Sequence, residues 1–149
     1  MPIQRKTAWL ALTLLAWLAS PPTQANPAAE PDPDPRVHLH MTTSERAQFL
    51  SEMRQMLISI QGVMQGIATE DRTAIIEAAR YSGNRMARAT PQSLRDKLPM
   101  EFKQLGAPTH MLFEEIVIRA ETDDMADIAE VAAQALANCA ACHAQFRAD

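Results

Sequence analysis

The chain has 149 residues, with 14 basic and 18 acidic side chains and a net charge of −4. That length holds one domain of ordinary size and not comfortably two. The acid excess argues against a general binder of phosphate backbones, so no nucleic-acid partner is expected, and it favours solubility and a basic partner protein.

Residues 1–25 read as a secretory signal peptide. Arg5 and Lys6 form a short basic region, an apolar run follows from Ala8 to Ala19, and Thr23-Gln24-Ala25 ends in the small residues that a signal peptidase reads. A helix of about 12 residues is about 18 Å long, against a hydrocarbon core of about 30 Å. Cleavage near Ala25 and export are therefore expected, with no integral membrane span afterwards. Removing this segment leaves 12 basic against 18 acidic residues, a net charge of −6.

Residues 26–41 are expected to be a tether and lead-in. Pro27, Pro31, Pro33 and Pro35 remove backbone donors and favour an extended chain with no core of its own. His38 and His40 then alternate beside Met41, and are expected to be solvent-exposed.

The folded domain is expected over 42–149. Thr42 followed by Glu45 is a capping-box signal for a first helix. Within it Leu50, Met53, Leu57, Ile60, Met64 and Ile67 recur at alternating spacings of three and four, a bundle-facing stripe. Thr69-Glu70-Asp71 caps a second helix over about 70–89, which buries Ile75, Ile76, Ala79, Gly83 and Met86. Pro91, Pro99, Gly106 and Pro108 punctuate 90–108, so this stretch is expected to be a connection with one or two helical turns. A third helix is expected over about 109–120, with Leu112, Phe113, Ile116 and Val117 inward and His110 near its start as a capping or packed residue. Thr122, before Asp123 and Asp124, opens a fourth helix reaching about Arg147, with Ile128, Val131, Ala135, Cys139, Cys142 with His143, and Phe146 inward. No segment alternates with a strand period. The fold class expected is all-α, an antiparallel four-helix bundle.

Both cysteines of the chain lie in Cys139-Ala140-Ala141-Cys142-His143, so nothing remains for a scattered disulfide framework. Cys-x-x-Cys-His is the attachment motif of c-type haem. Its two thiols add to the two vinyl groups of the porphyrin. On a helix the first and fourth positions face one side, and the histidine beyond them can bring a ring nitrogen to the iron. A thioredoxin-like pair needs a strand before the motif and a helix starting at it. Zinc needs further ligands at close spacing, whereas His38, His40 and His110 lie far off. Haem c, one and covalent, is the expected cofactor, bound through Cys139 and Cys142 with His143 as axial iron ligand. Ile60, Met64, Met86 and Ile116 are expected in the pocket wall, and the alternative to a capping or packed role for His110 is a partner for a haem propionate.

The closing run from Cys139 to Arg147, placed at the end of four predicted helices, resembles the class II c-type cytochromes, the cytochrome c-prime family. Small class I cytochromes instead carry the motif near the N-terminus. The resemblance covers residues 42–147. It implies that His143 is the proximal ligand and that Arg147 lies beside it. It also implies a distal residue on the first helix four positions after an arginine. Arg46 and Leu50 have that spacing, which places Leu50 over an open iron face. Low-spin members of the class instead use a first-helix methionine, and Met53 lies on the same stripe as Leu50, with Met56 off the strict series. A thioether ligand raises the haem potential.

The function this implies is periplasmic one-electron transfer with redox partner proteins. The alternative is a five-coordinate module that binds nitric oxide or carbon monoxide. No catalytic base, nucleophile or substrate-pocket signature accompanies the motif, so the chain is not expected to be an enzyme. The resemblance further implies a homodimer through the first two helices.

Overall fold

Thr42 and Glu45 cap each other in the computed structural model, which describes residues 33–149. The Glu45 N–H donates to the Thr42 hydroxyl at 3.3 Å and the Thr42 N–H donates to the Glu45 carboxylate at 2.8 Å. This reciprocal cap satisfies two donors that a helix start would otherwise leave unpaired. It opens α1, Thr43–Ala68. The expected signal peptide, and the tether as far as residue 32, lie outside the described residues.

After α1, Asp71 caps α2, Arg72–Arg80, by accepting the Ala74 N–H at 3.0 Å. The second helix does not run on to residue 89. It breaks at Tyr81, Ser82 and Gly83, and α3 restarts over Asn84–Ala89. Then α4 covers Gln92–Lys97.

The next helix departs furthest from expectation: α5 spans Met100–Arg119 and takes Gly106 and Pro108 into its interior. Proline lacks the N–H that would reach back one turn, which here leaves the Gln104 carbonyl without its helical donor. Gln104 and Pro108 are both exposed, so water can serve that carbonyl and the ring meets no packed neighbour. On the inner face the Thr109 hydroxyl donates to the Leu105 carbonyl at 2.7 Å. The last helix, α6, spans Met125–Gln145.

The fourth helix thus ends two residues before Arg147. Phe146–Arg147 is a short strand, β2, paired in parallel with β1, Val37–His38, with Val37 opposite Phe146 and His38 opposite Arg147. The Leu39 N–H extends this ladder to the Arg147 carbonyl at 3.0 Å, and the Arg46 guanidinium donates to the Ala148 carbonyl at 2.8 Å. Residues 37–41 are therefore part of the folded unit, which starts at Pro33, rather than a lead-in to it. Leu39 is buried, and the half-buried His38 ring contacts Asp149.

The described chain is mostly helical with little strand. Helix α1 packs along α2, α2 against α5, α5 along α6, and α6 against α1, so the four longest helices surround a common core. That core contains Met56, Ile60, Val63, Ile75, Ala79, Phe113, Ile116 and Ile128. Gly62 and Gly66, one turn apart on α1, let α2 approach closely. A Cβ on Gly62 would lie 2.7 Å from the Ala78 Cβ, and one on Gly66 would lie 2.6 Å from the Ile75 Cγ1.

The apolar stripe of α1 is rotated from the expected one. Leu57 is 67% exposed and Met64 44% exposed, whereas Met56 is only 8% exposed and Val63 is fully buried. The inward series is Phe49, Met53, Met56, Ile60, Val63 and Ile67. A second cluster at one end of the helices joins Leu39, Phe49, Leu94, Phe102 and Phe146. Within it the Phe102 ring lies 5.8 Å from that of Phe49 and 5.4 Å from that of Phe146.

Candidate functional site

Cys139, Cys142 and His143 lie on the last two turns of α6, where 3.6 residues per turn bring all three toward one side. Both cysteines are free thiols and half-buried, while His143 is exposed. Burial pushes both thiols above their ordinary range. Cys142 reaches about 11, its shift enlarged by the neighbouring Cys139. A reactive dithiol needs the opposite, an electropositive setting that favours the thiolate. Among the described residues no three His, Cys, Asp or Glu side chains cluster as a metal-binding group, so the site has no zinc-type ligand set.

The three residues border a cavity of about 280 Å³ between α1, α5 and α6. Its other walls are mainly apolar: Phe49, Met53, Met56 and Ile60 from α1, Leu98 after α4, Phe102 and Leu105 from α5, and Leu136 from α6. A second cleft of about 410 Å³ lies beside the paired strands and is lined by Leu50, Met53, Cys142, His143 and Arg147. Met53, Cys142 and His143 thus border both spaces.

The sequence-derived site residues divide accordingly. Cys139, Cys142, His143 and Met53 come together on the cavity. Leu50 does not line it; it shares the second cleft with Arg147, so the two residues expected on opposite sides of the iron border one space. Arg147 shares that cleft with His143 and forms an ion pair with Asp149. Of the expected pocket wall only Ile60 lines the cavity. Ile116 is fully buried in the main core, Met86 packs against that core, and Met64 lies on the exposed face.

His110 is a packed residue with a defined partner. Its Nδ1 lies 2.7 Å from the Ser82 carbonyl, and that oxygen can only accept, so Nδ1 carries the proton. The break between α2 and α3 supplies this carbonyl, and the buried Ser82 hydroxyl donates to Ser59 at 2.8 Å. His38 and His40 sit apart from the cavity, with their Nδ1 atoms 2.8 Å apart.

Sequence reasoning undervalued Met56 and missed Phe102 as a cavity residue, whereas His110, weighed as a propionate partner, does line the cavity. Phe49, Met56 and Val63 recur every seven positions, which is the signal that identifies the rotated stripe. Phe102 and Leu105 were assigned to a connection because Gly106 and Pro108 follow them.

The chain matches no family model, no curated protein and no solved structure.

Proposed function

We propose that this protein is an exported monohaem c-type cytochrome that carries single electrons between periplasmic redox partners. Its fold, on this reading, is the antiparallel four-helix bundle of the class II cytochromes, formed by α1, α2, α5 and α6. One observation carries the reading: both thiols and His143 border a single apolar cavity on the last helix. The residues suit a covalent haem. Two free thiols three positions apart match the spacing of its vinyl groups, His143 follows at the ligand position, and the walls are mainly hydrocarbon and aromatic.

When bound, the haem supplies a one-electron change at its iron. Cys139 and Cys142 would hold it covalently through thioethers, and His143 would bind the metal. Met53 is the sixth ligand on this reading, because it is the α1 methionine that borders both spaces next to His143. Met56, buried on the same cavity, is its nearest competitor. The mainly apolar walls would limit water at a bound iron, which favours a raised potential. Arg147 stays beside His143 on the second cleft.

The test is expression with and without haem-maturation machinery, followed by optical spectroscopy. Covalently bound pigment lost in Cys139→Ala and Cys142→Ala, with an altered iron spectrum in His143→Ala, is the expected result. Colourless protein from the matured culture would sink the cytochrome reading. A ferric thioether charge-transfer band that disappears in Met53→Leu but persists in Met56→Leu identifies the sixth ligand. A high-spin wild-type protein that binds carbon monoxide readily would instead favour the gas-binding alternative.

A further inference from the structure

The cavity is mainly apolar, yet two cations line it from the same stretch of chain, Arg95 on α4 and Lys103 on α5. Neither has a carboxylate partner among the described residues. The Arg95 guanidinium donates only to the Gln92 side chain, at 2.8 Å, and the Lys103 ammonium has no recorded hydrogen bond. Among the described residues Arg36, Lys97, Arg119 and Arg147 each pair with an acid, and of the cations that do not, Arg95 and Lys103 are the two that line the cavity. Both are half-buried at the edge of a mainly hydrocarbon cavity, where their charges can reach a ligand held inside it. Glu52 is the one carboxylate on the cavity, and it is engaged elsewhere: it accepts from Gln48 at 3.3 Å and from Thr90 at 3.4 Å.

From these observations we infer that Arg95 and Lys103 are the cavity's anion subsite and bind the two carboxylates of a ligand whose body is apolar. This inference rests on the haem reading, which it deepens. A porphyrin carries its vinyl groups on one half of the ring and its two propionates on the other. Thioethers at Cys139 and Cys142 commit the first half to α6. The propionates then face groups contributed by other elements, and Arg95 and Lys103 are the cations those elements bring to the cavity. The two cations orient the macrocycle by its charged edge while the cysteines hold its apolar edge. The guanidinium offers a planar fork to a carboxylate, and the ammonium offers a point charge.

Esterified haem tests the assignment. Full-length protein produced without maturation machinery is titrated with iron protoporphyrin IX and with its dimethyl ester, which keeps the ring and removes both anions. Wild type is expected to favour the free acid by about tenfold, in keeping with charge-assisted hydrogen bonds. The double variant Arg95→Gln/Lys103→Gln is expected to lose that preference, while Arg85→Gln, an exposed cation outside the cavity, keeps it. An undiminished preference in the double variant overturns the subsite and leaves the haem reading intact. Binding of neither form, together with colourless matured protein, overturns both. A second measurement does not depend on the folding of the cofactor-free protein. In covalently loaded protein, removing both cations is expected to move the propionate inflection of the reduction potential to higher pH. An unmoved inflection in pigmented double variant also overturns the subsite.

Discussion

The two apolar clusters of this domain are built on different plans. The larger one, around Val63, Ile75, Phe113, Ile116 and Ile128, is made where long helices lie along one another, and its members are almost wholly buried. The smaller one takes a side chain apiece from the segment before α1, from α1, α4 and α5, and from β2. It borders both clefts through Phe49 and Phe102. Its closing contact pairs Val37 with Phe146, across nearly the whole described chain. Closing so long a loop costs entropy that local helix packing avoids, and sparse packing marks the regions that open first. The larger cluster holds the helices together, and the aromatic one closes the end of the fold where the thiols and His143 lie.

Breaking the larger cluster should have the greatest effect. Phe113→Ala removes a ring that is 1% exposed and is expected to cost about 3–5 kcal/mol in denaturant unfolding. A cost below about 1 kcal/mol would mean that Phe113 is not central to the core. Next is Gly66→Ala. The new methyl would meet the Ile75 side chain and, at 3.0 Å, the Ile75 backbone nitrogen, so α1 and α2 must separate. The expected loss is about 1–3 kcal/mol, measured by thermal unfolding.

The aromatic end should respond differently. Phe102→Leu removes two ring contacts, expected to cost about 1–2 kcal/mol because the site already borders open space. On the proposed cytochrome reading its larger signature should be an altered haem spectrum, which Gly66→Ala leaves alone. The cap of α1 is a smaller term at the same end: Thr42→Ala should cost about 1 kcal/mol.

Acid sharpens the contrast further. The Lys97 ammonium, which donates to Glu45 at 2.8 Å, together with the Thr42 N–H and hydroxyl, lowers the Glu45 carboxyl to about 2. A carboxyl lowered on folding stabilises the fold at pH above its unfolded value, and that contribution is lost as pH falls through the folded value. Between the ordinary carboxylate range and about pH 2, hydrogen exchange should therefore accelerate at the start of α1 and at α4 before it does around Val63 and Ile75. Glu45→Gln should reduce this acid sensitivity. Uniform acceleration across both regions would count against a separately stabilised end.

Helix content was legible because it is written in local signals. The Thr42–Glu45 box opens α1, Asp71 caps α2, and Ile128, Val131 and Ala135 point inward on α6, all as their spacing predicts. The stripe of α1 was misread because leucine, isoleucine and methionine fill both of its faces, so periodicity alone offered two registers one residue apart. Gly106 and Pro108 read as breakers, yet the freed carbonyl and the ring of Pro108 fall on the solvent side of α5, where they do little harm. The same misreading hid Phe102 and Lys103 from the site.

What the sequence by itself determined is the chemistry at one place. Cys139, Cys142 and His143 have a spacing that an α-helix converts into one face, and no distant contact is needed for that. The tertiary structure decided what stands opposite them. It turned Met56 inward and Leu57 outward, placed Leu50 on the second cleft, which Cys142 borders and Cys139 does not, and brought Arg95 and Lys103 to the cavity. It also drew Val37 onto Phe146. The physical reason is range. Backbone spacing within a helix is set by neighbours a few residues away, whereas a cavity wall is set by how separate helices rotate against one another to bury the most surface.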